Sequence, residues 1–328
     1  MKKVLSLEDY LQGLSAGDRT ILARAITLCE SSNPEHQKLA GEVLKSVLPF
    51  TGKSKRIGIS GTPGVGKSTF IETFGRMLTA DGKKIAVLAV DPTSQVTGGS
   101  ILGDKTRMNE LAIDPLAFIR PSPSGDTLGG VARRTREALL LCEAFGFDYV
   151  LVETVGVGQS ETTVSQMVDL FVMLLQPGAG DDLQGIKRGI LEVVDLVVVT
   201  KDDGDGQKLI QQAKHDYQRA LQILRHNGWI PPVLSCSALT RHGMPEVLAV
   251  VEGYFEKQSE LILDKRNIQG LDWMWQLIEN GLRENFKTVV GTESLAASRD
   301  QVLSKRATPV QVAESLLHQY YQTAKEKK

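Results

Sequence analysis

The sequence predicts an α/β chain: a doubly wound, mainly parallel sheet with helical extensions at both ends. Three observations point there. Six short apolar runs are near-continuous in Val, Ile and Leu: RIGIS (56–60), IAVLAV (85–90), YVLVET (149–154), LFVMLL (170–175), LVVVT (196–200) and VLSCS (233–237). Unbroken rather than alternating runs are the mark of strands buried on both faces. Helix-length segments separate them, as in βαβ units. Both flanks carry three- and four-residue apolar spacing instead.

Residues 1–54 are expected to form an N-terminal helical extension. Leu11, Leu14, Ile21, Leu22, Ala25, Ile26 and Leu28 set its spacing, Asn33-Pro34 breaks the run, and a second helix reaches about Leu48. Residues 55–257 carry the strands. Residues 258–328 form a C-terminal helical segment, with amphipathic stretches at 272–286 and 309–327.

With 38 basic and 39 acidic residues, the formal net charge is -1, which gives no whole-molecule reason to expect a nucleic-acid partner. Cys29, Cys142 and Cys236 stand in apolar surroundings without CxxC spacing and read as buried thiols. The opening MKKVLSLEDYLQGL does not read as a signal peptide, and no window approaches a membrane span. A soluble cytoplasmic protein is expected.

The first strand runs into GTPGVGKST, residues 61–69, which matches G-x-x-x-x-G-K-[ST] between a strand and a helix. The pattern predicts a P-loop NTPase. Gly61, Pro63, Gly64, Val65 and Gly66 form a loop whose N–H groups wrap phosphate oxygens. Thr69 continues it into the helix, whose N-terminus adds positive potential. Lys67 is placed on the β- and γ-phosphates and Ser68 on Mg²⁺. An extra lysine found early in some such loops is replaced by Thr62.

Thr200-Lys201-Asp202-Asp203 ends a later strand and fits [NT]-K-x-D, with Thr200 in place of the commoner Asn. Asp203 would accept from guanine N1–H and the exocyclic amine, a donor pair that adenine lacks. The stem of Lys201 would pack along the base. In SCSAL (235–239), Ser237, Ala238 and Leu239 would form the second base loop, with an N–H near Ala238 meeting O6. An acidic turn capping a strand is the plain alternative.

ETVGVGQSE (153–161) offers Glu153-x-x-Gly156 where D-x-x-G is usual. Glu153 would reach the Mg²⁺ region and the Gly156 N–H the γ-phosphate. Gln159 would orient water or be a surface residue, and Glu161 reads as a helix-start residue rather than a base. DPTSQVTGGSILGDKTRM (91–108) lies where a magnesium-linked switch belongs; Asp91 and Asp104 are oxygen donors suited to a hard cation.

TGGSILGDKTRM, with ETVGVGQSE and DDLQGIKRGI, closely resembles the MeaB/ArgK family of G proteins, over nearly the whole chain. The resemblance implies a GTPase using GTP/GDP and Mg²⁺, slow alone and activated by a partner. It implies a chaperone that gates adenosylcobalamin loading and protects or reactivates an acyl-CoA mutase of the methylmalonyl-CoA type. It also implies a homodimer built largely on the C-terminal helices. Under it, QPGAGDDLQGIKRG (176–189) becomes a mobile element: Asp182, Gln184 and Lys187 would approach the phosphates when a partner docks, with Lys187 neutralising charge in phosphoryl transfer; a loop capping a helix with solvated charges is the plain alternative. Arg133, Arg134 and Arg136 face either a partner or phosphate, or solvent. No cobalamin motif of the DxHxxG type is present, so cobalamin is assigned to the partner. Three rivals stay open: an ATPase or kinase of a lysine/arginine/ornithine transport system, a nucleotide-binding scaffold without turnover, and a nickel metallochaperone. The five histidines lack metal-ligand spacing, which argues against the last.

Overall fold

The computed structural model describes residues 5–90, 108–121, 128–154, 160–178, 188–204, 206–223 and 229–326. The chain forms two compact units, 1–263 and 264–328.

The first unit is built on a seven-stranded sheet in the order β3-β2-β4-β1-β5-β6-β7. Its strands are β1 (Lys55–Gly61), β2 (Ile85–Val90), β3 (Ala117–Arg120), β4 (Tyr149–Thr154), β5 (Leu170–Leu175), β6 (Leu196–Val199) and β7 (Val233–Ser235). Every pairing is parallel. All six apolar runs are strands. β6 and β7 stop one and two residues short of their runs, because Thr200 and Cys236 turn into the loops beyond. The edge strand β3 was not legible: AFIR is only four residues, and three of them are half-buried, so it shows no buried run.

Alternation within each strand feeds two cores. Val150 and Val152 of β4 point to one face, and Tyr149 and Leu151 to the other. The first face is covered by α5 (Leu128–Phe145) and, beyond it, by α1 (Leu7–Ser15), α2 (Arg19–Glu30) and α3 (Pro34–Val47). The second is covered by α4 (Lys67–Ala80) and α9 (Met244–Lys257). Shorter or peripheral helices are α6 (Ser160–Ser165), α7 (Arg188–Leu191) and α8 (Gln207–Ile223).

The N-terminal region holds three helices rather than the two its periodicity predicts. Gly17, at φ +74°, ends the first, and Asp18 caps the second through the N–H groups of Thr20 and Ile21. The apolar spacing runs on across this break, which is why periodicity alone misses it.

β1 lies centrally, and the chain builds outward to one side through β2 and β3, then to the other from β5. Such a reversal opens a crevice at the carboxyl ends of the strands, where ligands of open α/β sheets bind.

The opposite end is pinned by charge. Arg56 makes a two-pronged pair with Glu143 of α5, at 2.8 and 2.7 Å, and the Gly52 N–H donates to the same carboxylate at 3.1 Å. The Glu143 side chain is fully buried.

The second unit is helical: the rest of α10 (Ser259–Val290), then α11 (Thr292–Leu303) and α12 (Pro309–Glu326). Gly291, at φ +83°, separates the first two. Ser294 donates to Gln319 at 2.9 Å and Tyr320 to Asn285 at 3.0 Å, which ties α12 back onto its neighbours. Among the described residues, no helix is long and apolar enough to cross a membrane.

Removing one partner of a buried ion pair strands the other. Glu143→Ala is therefore expected to destabilise the first unit by about 3 kcal/mol, measured by urea unfolding; a loss below about 1 kcal/mol would show that the pair does not anchor α5.

Candidate nucleotide-binding site

β1 ends against β5. A Cβ on Gly61 would sit 2.6 Å from the Leu174 carbonyl oxygen, closer than side chains approach, so only glycine lets the strand finish there. The chain then turns through Gly64 (φ +81°) and Gly66 (φ +97°), which L side chains rarely tolerate. A Cβ on either would meet nothing within 4 Å. The loop thus presents its backbone to open space at the head of α4. The first-turn N–H groups of that helix have no intrahelical partners.

Lys67 folds back over this loop and donates to the carbonyls of Gly61 at 2.6 Å and Thr62 at 3.3 Å. Burial pushes its ammonium pKa down, while the carboxylates of Glu153 and Glu161 push it back up. Ser68 donates to Glu153 at 3.4 Å. Glu153 is buried at the end of β4, opposite Ile59 of β1 in the register. Next to it, Thr154 donates to Ser60 at 2.9 Å and ties the two strands together. A serine hydroxyl and a carboxylate at a helix N-terminus form a hard oxygen set, which fits Mg²⁺.

The base-side residues meet the same loop from β6 and β7. Thr200 is buried, and its hydroxyl lies 2.8 Å from the Val65 carbonyl and 3.1 Å from that of Leu175. The threonine that replaces asparagine here still reaches the phosphate loop, through its hydroxyl. Lys201 adopts φ +63° and donates to the Gln176 side chain at 2.7 Å. Asp203 is exposed and accepts a hydrogen bond from the Ser237 hydroxyl. Its neighbour Asp202 is buried and taken up by Gln207 at 2.6 Å, so only the second aspartate is open to a ligand.

In the loop after β7, the Cys236 N–H donates to Val199 at 2.9 Å and the Ser237 N–H to His242 at 2.9 Å. The Thr240 N–H donates to the Ser237 hydroxyl at 3.2 Å. Ala238 and Leu239 keep their N–H groups free of hydrogen bonds to described residues. Burial raises the Cys236 thiol to about 12 and raises Cys29 and Cys142 as well; all three are free thiols.

The structure therefore brings Gly61, Lys67, Ser68, Glu153, Thr200, Lys201, Asp203, Ser237 and Ala238 to one edge of the sheet. Asp91, Asp104, Gly156, Gln159, Asp182, Gln184 and Lys187 lie outside the described residues. Glu161 sits in the first turn of α6 and is buried. Arg133 and Arg136 differ in their surroundings. Arg136 is buried and donates to the Gln166 carbonyl at 3.1 Å, so it does not lie on a solvated face. Arg133 is exposed and pairs with Glu137 at 2.9 Å.

The parallel sheet and its glycine-rich loop define a P-loop nucleoside triphosphatase. A family model described as "Methylmalonyl Co-A mutase-associated GTPase MeaB" matches residues 22–290, and the chain belongs to that family of P-loop GTPases. It is 46% identical to "GTPase ArgK" of Escherichia coli over 96% of this chain and 98% of that protein. It is also 46% identical to "Methylmalonic aciduria type A homolog, mitochondrial" of Mus musculus, over 93% of this chain and 77% of that protein. A solved structure described as "LAO/AO transport system kinase" superposes with a TM-score of 0.78 at 37% identity, covering 96% of this chain and 99% of that one.

Proposed function

We propose that this GTPase binds GTP along the carboxyl edge of the sheet and hydrolyses it slowly on its own, and that its nucleotide state gates and protects an adenosylcobalamin-dependent acyl-CoA mutase of the methylmalonyl-CoA type. The observation that carries the nucleotide site is the buried Thr200–Val65 hydrogen bond, 2.8 Å long, which locks the base loop to the phosphate loop.

In this reading the N–H groups of Gly64 and of Gly66 to Thr69 receive phosphate oxygens, while that of Val65 is held by the Thr62 carbonyl at 3.2 Å. Lys67 turns from the Gly61 and Thr62 carbonyls to the β- and γ-phosphates. Bound Mg²⁺ would supply Lewis-acid neutralisation of phosphate charge. Ser68 and Glu153 would hold it, with Asp91 and Asp104 as further donors proposed from sequence. Asp203 selects guanine, and a backbone N–H near Ala238 meets O6. The stem of Lys201 lies along the base, and Ser237 fixes the Asp203 carboxylate. Gly156 reads the γ-phosphate, Gln159 orients water and Lys187 neutralises charge; these three roles rest on sequence alone. Neither GTPGVGKST nor ETVGVGQSE contains an arginine. A group delivered by the partner is therefore expected to complete the site, since such groups raise turnover strongly elsewhere.

The mutase is supported by the family's description and by the family resemblance. A homodimer is supported by α10, where Ile268, Leu271, Trp275, Ile278 and Leu282 repeat at heptad spacing and are 41% to 60% exposed. The kinase description of the related structure favours a second reading, ATP-dependent phosphoryl transfer to an acceptor.

One assay separates these readings: phosphate release from GTP and from ATP, with and without an adenosylcobalamin-dependent mutase. Lys67→Ala is expected to lower GTP turnover by about 100-fold or more, and unchanged turnover would remove the site. Asp203→Asn is expected to lower the GTP-over-ATP preference by about tenfold or more; an intact preference would refute the base assignment. Mutase is expected to raise GTP turnover by about tenfold or more. No stimulation by any acyl-CoA mutase of this class would contradict the partner. For the dimer, Leu271→Glu with Ile278→Glu should shift sedimentation from dimer to monomer; an unchanged value would move the interface elsewhere.

A further inference from the structure

A helical threonine usually turns its hydroxyl to its own helix, onto the carbonyl one turn back. Thr73, in the middle of α4, does otherwise. Its hydroxyl crosses to the loop after β7 and donates to the Ala238 carbonyl at 2.8 Å. The helix that begins under the phosphate loop therefore also holds the proposed base loop, 165 residues away in sequence.

The contact bears on which way the loop's free donors point. In a trans peptide the N–H lies opposite the carbonyl. The described residues contain no cis peptide. With the Ala238 oxygen drawn onto α4, the Leu239 N–H is turned away from that helix. The other N–H groups nearby, those of Cys236, Ser237 and Thr240, are already taken by Val199, His242 and the Ser237 hydroxyl. The N–H groups of Ala238 and Leu239 alone in this run make no hydrogen bond to described residues. Leu239 is 78% exposed, so its own side chain does little to fix the peptide.

We infer that Thr73 is a positioning residue for purine selection: its hydroxyl orients the Ala238–Leu239 peptide so that the loop reads the 6-oxo group of the base. The inference rests on the guanine-site reading above. Thr73 touches neither base nor phosphate in this scheme; it acts through the peptide. Recognition of the N1–H and the 2-amino group is assigned separately to Asp203, so a change made through Thr73 acts on the 6-oxo contact and leaves the 2-amino contact as it was.

The test is calorimetric binding of three diphosphates to the full chain: GDP, the 2-aminopurine riboside analogue, which lacks the 6-oxo group and with it the N1–H, and IDP, which lacks only the 2-amino group; the change in each preference between Thr73 variants, rather than its absolute size, isolates the 6-oxo contact. Thr73→Val and Thr73→Ala remove the hydroxyl, and Thr73→Ser keeps it. The expected result is that the preference for GDP over the 2-aminopurine analogue falls about fivefold in the first two variants. It should be retained in the serine variant, and the GDP-over-IDP preference should stay constant throughout. An unchanged 6-oxo preference in Val and Ala would overturn the inference. So would an equal fall in both preferences, which would mean general loosening of the site. If the unaltered protein shows neither preference, the guanine-site reading itself fails and the tether falls with it; that outcome is recognisable before any variant is measured.

Discussion

The site depends on a single close approach: β1 finishing against the Leu174 carbonyl at Gly61. No side chain fits between them, so the strand can run to the edge of the sheet and then turn sharply. Two further glycines at positive φ complete the turn and leave its backbone facing open space. Everything that bears on phosphate follows from the placement of α4 immediately after it, because a helix N-terminus concentrates unpaired N–H groups and positive potential at one point.

Around that turn the structure is cross-tied rather than merely adjacent. Thr200 reaches the phosphate loop from β6, Thr154 fastens β4 to β1 through Ser60, and Thr73 reaches the β7 loop from α4. Three hydroxyls thus link four strands and a helix at one edge. Buried or half-buried hydroxyl contacts of this kind orient backbone groups without adding charge. Charge is supplied separately, by Lys67 and by the buried Glu153. The ammonium is desolvated, and the neighbouring Glu153 and Glu161 carboxylates partly offset that by favouring its charged form.

Much of this was readable before any coordinates. Strands buried on both faces announce themselves as unbroken Val/Ile/Leu runs, so six of the seven were visible. The seventh, Ala117–Arg120, lies at the edge and is too short and too exposed to carry that signal. The break at Gly17-Asp18 was hidden by apolar spacing that continues in phase across it. The motif residues Gly61, Lys67, Ser68, Thr200 and Asp203 were legible as candidates because each motif fixes its spacing within a short stretch, and the structure brings them to one edge of the sheet. Thr73 was not, since its partner is distant in sequence and a threonine in a helix carries no mark of where its hydroxyl goes. The choice between Asp202 and Asp203 came from the motif and agrees with burial, which closes the first and leaves the second open.

The most direct measurement is a crystal structure of the chain grown with Mg²⁺ and a non-hydrolysable GTP analogue. The account predicts the phosphates on the N–H groups that follow Gly61, with Lys67 swung from its carbonyls onto them, and the guanine edge against Asp203. A nucleotide bound elsewhere, or bound at the loop with its base turned away from β6 and β7, would contradict it.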